Sequence, residues 1–126
     1  MSYFDDVIKF HRQILNVEST APHLLDTAMF YERMDFLNEE LQEFAEANWS
    51  ENIVGAADAL ADIVYVALGT AYLMGLPFDA IWAAVQHANM SKVRGMTTRG
   101  NAVDAAKPEG WVGPEGAIAK VIHNAS

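Results

Sequence analysis

The stretch DALADIVYVALGTAYLMG, Asp58 to Gly75, decides the fold of this chain. It opens on two acids, Asp58 and Asp62, and from Ile63 to Phe78 no charge follows. Its apolar residues do not alternate with period two, so it reads as helix and not as strand. Extended upstream, the helix is expected over about Glu51 to Met74. Gly75-Leu76-Pro77 supplies the stop, with glycine just past the end and proline beyond it. A helix that is apolar on all sides is expected to be buried. A bilayer span is not expected, because the uncharged run is short and Asp58 and Asp62 are costly in lipid.

Working outward, three more helices are readable. One precedes the decisive stretch, from Asp26 or Thr27 to about Asn48, with an apolar stripe of Phe30, Met34, Leu37, Leu41 and Phe44. An N-terminal helix is expected over Tyr3 to Leu15. A fourth is expected from Asp79 to Val93, with the stripe Phe78, Trp82, Val85, Asn89 and Lys92. Past Gly95 the periodicity fades. Arg99 to Gly116 carries repeated Gly and Pro and reads as an irregular tail before a short terminal helix, Ala117 to His123. The expectation is one all-α domain over residues 1–126: a bundle of four to five helices with an irregular C-terminal segment.

Composition narrows the chemistry. The chain has 126 residues, no cysteine and a formal net charge of −9. Disulfides, thiolate metal sites and cysteine nucleophiles are excluded. The acidity argues against a nucleic-acid partner, since the phosphate backbone is repelled. A small anion remains compatible if a bound cation reverses the local field. The N-terminus has no basic start followed by an apolar run, so a cytoplasmic location is expected and no membrane partner.

The acids carry the functional argument. Glu40 and Glu43 stand three apart on the second helix and share a face, with Glu39 beside them. Taken alone, that cluster reads better as the solvated flank of an amphipathic helix. Asp58 and Asp62 change the balance. They stand four apart on an apolar helix that has no lysine or arginine. Like charges in an apolar stretch destabilise each other and lose hydration, so a cation is needed. Carboxylate oxygens suit Mg²⁺, Mn²⁺ or Ca²⁺ better than zinc. The short link near Trp49 to Asn52 makes the two helices antiparallel neighbours and sets Glu40 and Glu43 opposite Asp58 and Asp62. A di-iron bundle would want Glu-x-x-His. None of His11, His23, His87 and His123 follows a glutamate by three. Asn89 and Lys92 extend the stripe of the fourth helix, and Lys92 could meet the carboxylates or a phosphate. Arg94 and Arg99 add positive charge near this end.

These residues together resemble the MazG-like all-α nucleoside triphosphate pyrophosphohydrolases, related to dimeric dUTPases and phosphoribosyl-ATP pyrophosphohydrolases. The likeness is carried by Arg33, LNEELQEFAEA (Leu37 to Ala47), DALADIVYVALGTAYLMG, HANMSKV (His87 to Val93) and the tail KPEGWVGPE (Lys107 to Glu115). It spans about Phe10 to Ile118. The family pattern is Glu-x-x-Glu followed by Glu-x-x-Asp. Glu40, Glu43 and Asp62 match it, while the remaining position falls on Ala59, which cannot ligate. Asp58, one residue earlier, is assigned that place. The resemblance implies Mg²⁺, with Mn²⁺ as a substitute, held by Glu40, Glu43, Asp58 and Asp62. It implies that Glu39 and Glu40 serve catalysis, and that Asn89, Lys92, Arg33 and Arg94 meet the substrate. It further implies a homodimer or homotetramer that cleaves a nucleoside triphosphate between its α- and β-phosphates, releasing a monophosphate and pyrophosphate in nucleotide-pool housecleaning. The rival from the residues alone is a non-catalytic helical module that binds metal or a partner.

Overall fold

The structure is a computed structural model and describes residues 1–100 and 103–126. Five helices carry it: α1 (Tyr3–Gln13), α2 (Thr27–Trp49), α3 (Ile53–Leu73), α4 (Phe78–Met90) and α5 (Glu115–Ala125). Among the described residues the strands are β1 (Val93–Gly95) and β2 (Asp104–Ala106), an antiparallel pair. The chain is all-α, as expected, and forms two compact units, Met1–Leu76 and Pro77–Ser126.

In the first unit the helix ends are set by local hydrogen bonds. Ser2 caps α1, its hydroxyl accepting from the Asp5 N–H at 3.0 Å while the Asp5 carboxylate accepts from the Ser2 N–H at 2.9 Å. Asp26 caps α2 through the Met29 N–H, and Asn52 caps α3 through the Gly55 N–H. The end of α3 is a Schellman turn. Leu76 N–H donates to the Ala71 carbonyl, Gly75 N–H donates to that of Tyr72, and Gly75 has φ +68°. A Cβ there would run into the Thr20 carbonyl, so only glycine serves.

Helices α2 and α3 form the antiparallel hairpin that the short link predicts, and α1 packs on α3. Arg33 straps the hairpin. Its Nε donates to Thr70 Oγ1 and its Nη2 to the Val66 carbonyl, both at 3.0 Å. Burial draws the Arg33 guanidinium below its ordinary pKa, against an opposing effect of Glu32. Gly69 lets this happen: a Cβ there would meet Arg33 Nη2 and His11 Cε1, each at 2.9 Å. His11 is buried, donates Nδ1–H to the Val7 carbonyl and packs on Tyr72 with ring centroids 5.1 Å apart. Tyr72 in turn bonds the Val17 carbonyl at 2.7 Å, tying the loop after α1 to α3.

Burial departs from expectation. Helix α3 is apolar all round, yet Ile53 is 83% and Val54 77% exposed, with Leu60 and Val64 about half exposed. The stripe of α2 is likewise open at Phe30, Met34 and Leu41. Only the side facing the hairpin and α1 is covered, at Ala59, Leu68, Gly69, Ala71 and Tyr72. One chain supplies two neighbours to α3, and a helix apolar on every side needs more. On length and composition alone, α3 could cross a membrane.

In the second unit α4 ends three residues earlier than expected, at Met90, and Val93 enters β1. The buried positions of α4 are Ile81 and Ala88, while Trp82 and Asn89 are exposed. The stripe through Trp82, Asn89 and Lys92 is therefore not the covered face. Large side chains drew the phase of the pattern, and the packed face consists of Ile81 and small alanines. The segment read as an irregular tail contains β2, and its Asp104 anchors the hairpin. That carboxylate accepts from Thr97 Oγ1 at 2.6 Å and takes a two-pronged bond from Arg99. The Thr97 hydroxyl, the Ala105 N–H and Arg99 hold it below the usual carboxylate range.

Candidate metal centre

The acids meet on the α2–α3 hairpin. The pairing Arg33 with Val66 and Thr70 at one level brings Glu40 and Glu43 level with Asp62 two turns along. One carboxylate oxygen each of Glu40, Glu43 and Asp62 lies within 4.8 Å of the others, close enough for all three to hold one cation. Glu40 and Asp62 are half-buried and Glu43 is exposed. The group therefore sits at a solvent-facing seam and not in a sealed core.

Its electrostatics would be eased by a bound cation. Glu40 Oε2 is out of reach of water and has no hydrogen-bond partner among the described residues. An orphaned carboxylate oxygen is costly, because it has lost hydration without replacing it. Burial pushes the Glu40 carboxyl up to about 7 from an ordinary 4.5. Hydrogen bonding between the Glu40 and Glu43 carboxyls and the charge of Glu43 add to this, and the charges of Asp62 and Asp58 contribute less. No lysine or arginine forms an ion pair with any of these acids among the described residues. An all-oxygen donor set with one stranded oxygen fits a hard divalent cation.

Asp58 is exposed and stands outside the three-residue group, although its charge reaches Glu40. Ala59, at the position where the family pattern carries a glutamate, is 2% exposed and packed into the hairpin. Glu39 is exposed beside Glu40 and does not join the group. Arg33 is engaged with α3 as described. Asn89, Lys92 and Arg94 belong to the second unit: Asn89 is exposed in the last turn of α4, Lys92 follows the helix, and Arg94 is exposed on β1. Trp111 and Lys107 were not singled out for chemistry by the sequence. Lys92 and Lys107 each place an ammonium group over the Trp111 ring, and the only signal for Lys107 and Trp111 was the motif KPEGW.

A separate cavity of about 390 Å³ lies between α1 and α3, lined by Tyr3, Asp6, Val7, Leu60, Val64 and Tyr65 among others. It is apolar and contains none of the clustered acids.

A family model described as phosphoribosyl-ATP pyrophosphohydrolase matches residues 7–89, which include all of α2 and α3 and hence the whole acidic group. No curated protein matches the chain.

Proposed function

From membership of the phosphoribosyl-ATP pyrophosphohydrolase family, part of the MazG-like all-α superfamily to which this chain belongs, we propose that it is a Mg²⁺-dependent hydrolase that cleaves a nucleoside triphosphate between the α- and β-phosphates. The family carries the coarser statement, a pyrophosphohydrolase acting on an acid anhydride. The finer reading rests on one observation: the convergence of Glu40, Glu43 and Asp62 around the unpartnered Oε2 of Glu40. A rigid helical hairpin aims three carboxylates at one point, as a hard-cation site requires.

Glu43 and Asp62 would hold the cation from opposite helices, with the ionised Glu40 carboxylate as the third ligand. A bound divalent cation supplies acidification of the attacking water and neutralises charge on the phosphate oxygens. Glu39, exposed beside the group, is assigned the orientation of that water. Mn²⁺ serves as substitute, since its ligand preference is the same.

The test is a panel of NTPs, dNTPs and phosphoribosyl-ATP, with products separated after hydrolysis in ¹⁸O-labelled water. Attack at the α-phosphorus puts label in the monophosphate product and none in pyrophosphate. Label in pyrophosphate, or orthophosphate as the first product, overturns the bond assignment. Cleavage of phosphoribosyl-ATP alone overturns the substrate class and leaves the bond in place.

A homo-oligomer belongs to the same reading. The uncovered apolar residues Phe30, Met34, Leu41, Ile53, Val54, Leu60 and Val64 lie on the two helices that carry the acids. A second copy offers the same residues in return, as a two-fold interface requires. Sedimentation in detergent-free buffer should give a dimer or tetramer. A monomer, or a chain recovered only in detergent, defeats this arrangement.

A further inference from the structure

The family resemblance makes Arg33 a substrate contact, yet the fold engages its donors elsewhere. Arg33 is half-buried on α2, with Nε donating to Thr70 Oγ1 and Nη2 to the Val66 carbonyl, both at 3.0 Å. The Thr70 hydroxyl donates its own proton to that carbonyl at 2.7 Å, so its oxygen can accept from Nε. The three hydrogen bonds close a ring between α2 and α3. Arg33 Cζ also lies 5.3 Å from the centroid of the Phe36 ring, one turn along α2, which holds the guanidinium from its own helix. No carboxylate lies within ion-pair distance of it among the described residues. Gly69 leaves the room that these bonds need, since a Cβ there would meet Arg33 Nη2 at 2.9 Å.

The ring of bonds lies on the seam that carries the acids. Glu40 follows Arg33 by seven residues, two turns of α2, and Asp62 precedes Val66 by four, one turn of α3. The helices are antiparallel, so both steps run the same way along the hairpin. The packing between the helices has little else to fix their register. Ala47 is the buried residue of α2, and Ala59 is buried opposite it on α3. Large side chains set into facing holes lock one helix against another, and alanines do so weakly. A screw of α3 by one residue moves Asp62 by about 1.5 Å along the axis and turns it by about 100°. That would take it out of the group. Fixing register is the best-attested use of a buried polar contact.

We propose that Arg33 is a positioning residue: its two-pronged bond to Val66 and Thr70 sets the register in which Asp62 of α3 meets Glu40 and Glu43 of α2. It holds the helices that carry the acids and touches neither cation nor nucleotide. That this register serves a bound cation and catalysis rests on the function proposed above. The register itself does not.

The test uses Arg33→Met, which keeps the length and loses both prongs, and Thr70→Val, which keeps the shape and loses the hydroxyl. Mn²⁺ affinity is read by paramagnetic resonance at a temperature where circular dichroism shows each variant folded, so lost stability does not enter. Each variant should bind Mn²⁺ about tenfold more weakly or worse, the scale for outer partners of metal ligands. The double variant should be no weaker than the worse single one, because both break the same contact. Thr70→Ser retains the hydroxyl and should match the parent. At saturating Mn²⁺ the variants should cleave nucleotide with the parent's KM. A raised KM with unchanged Mn²⁺ affinity makes Arg33 a substrate contact, and a lowered melting midpoint with both unchanged makes it merely structural. Either result overturns the proposal. A second readout needs no metal. The chain has no cysteine, so spin labels at Gln42→Cys and Ala57→Cys, exposed on α2 and α3, report the distance between the helices when labelled chain is diluted into unlabelled. Arg33→Met and Thr70→Val should displace or broaden that distance, and identical distributions overturn the proposal. Displaced distances in a chain that binds no Mn²⁺ support the register role and defeat the metal centre. Nucleotide cleavage and Mn²⁺ affinity that both survive Arg33→Met do the reverse.

Discussion

Asp62→Asn should abolish the rise in melting midpoint that Mg²⁺ produces in the parent protein, and should lower hydrolysis by about a hundredfold or more. Outer partners of a metal ligand alone cost about 10–100-fold, so a direct ligand should cost at least that. The stabilisation follows from mass action, since the three carboxylates converge only when α2 and α3 are packed, and a cation that binds the folded chain raises its stability. Glu43→Gln should behave in the same way, because Glu43 is the exposed member of the same group. Asp58 separates a specific site from a general acidic field. It stands outside the group yet contributes charge at Glu40. Asp58→Asn should therefore retain the Mg²⁺ response and lose about tenfold in activity at most. The measurement is a calorimetric scan of each variant with and without Mg²⁺, paired with steady-state rates. A full Mg²⁺ response in Asp62→Asn removes the metal site, and equal losses in Asp58→Asn and Asp62→Asn replace it with a diffuse acidic surface.

Without metal, the parent should lose stability as pH rises from about 4.5 to about 7, and Glu40→Gln should not show that loss. The Glu40 carboxyl has an ordinary value of 4.5 and stands at about 7 in the folded chain. Between those values the folded state keeps a proton that the unfolded state has released. Stability then falls with rising pH across this window and is greatest below it. Glutamine keeps the shape and cannot ionise, so at pH 8 in metal-free buffer the variant should melt above the parent. It should be inactive, since the cation loses a charged ligand. Mg²⁺ must displace the Glu40 proton, so the parent's affinity for it should decline as pH drops below about 7. Thermal melts of both proteins from pH 4.5 to 8 in chelator check the first part. The difference between parent and variant is the quantity to read, because other groups titrate in both. A pH-independent difference contradicts the raised Glu40 carboxyl.

Much of this arrangement is local chemistry and was legible in the chain itself. The starts and stops at Asp26 and Gly75 depend on residues within one turn, as does the sharing of a face by Glu40 and Glu43. The short link after Trp49 makes α2 and α3 neighbours, so the meeting of Glu40 and Glu43 with Asp62 also followed from spacing. Tertiary structure decided the rest. Periodicity says that an apolar surface must be covered but not by what, so α3 read as buried although one chain leaves Ile53 and Val54 open. Residues one apart on a helix differ in direction by about 100°, which neither charge nor composition reveals without the packing partner. That rotation leaves Asp58 outside the group and turns Ala59 into the hairpin. Lys92 read as part of a helical stripe because the end of α4 carries no strong local stop. Its place on the ring of Trp111, nineteen residues on, is a long-range contact that only the folded chain brings about.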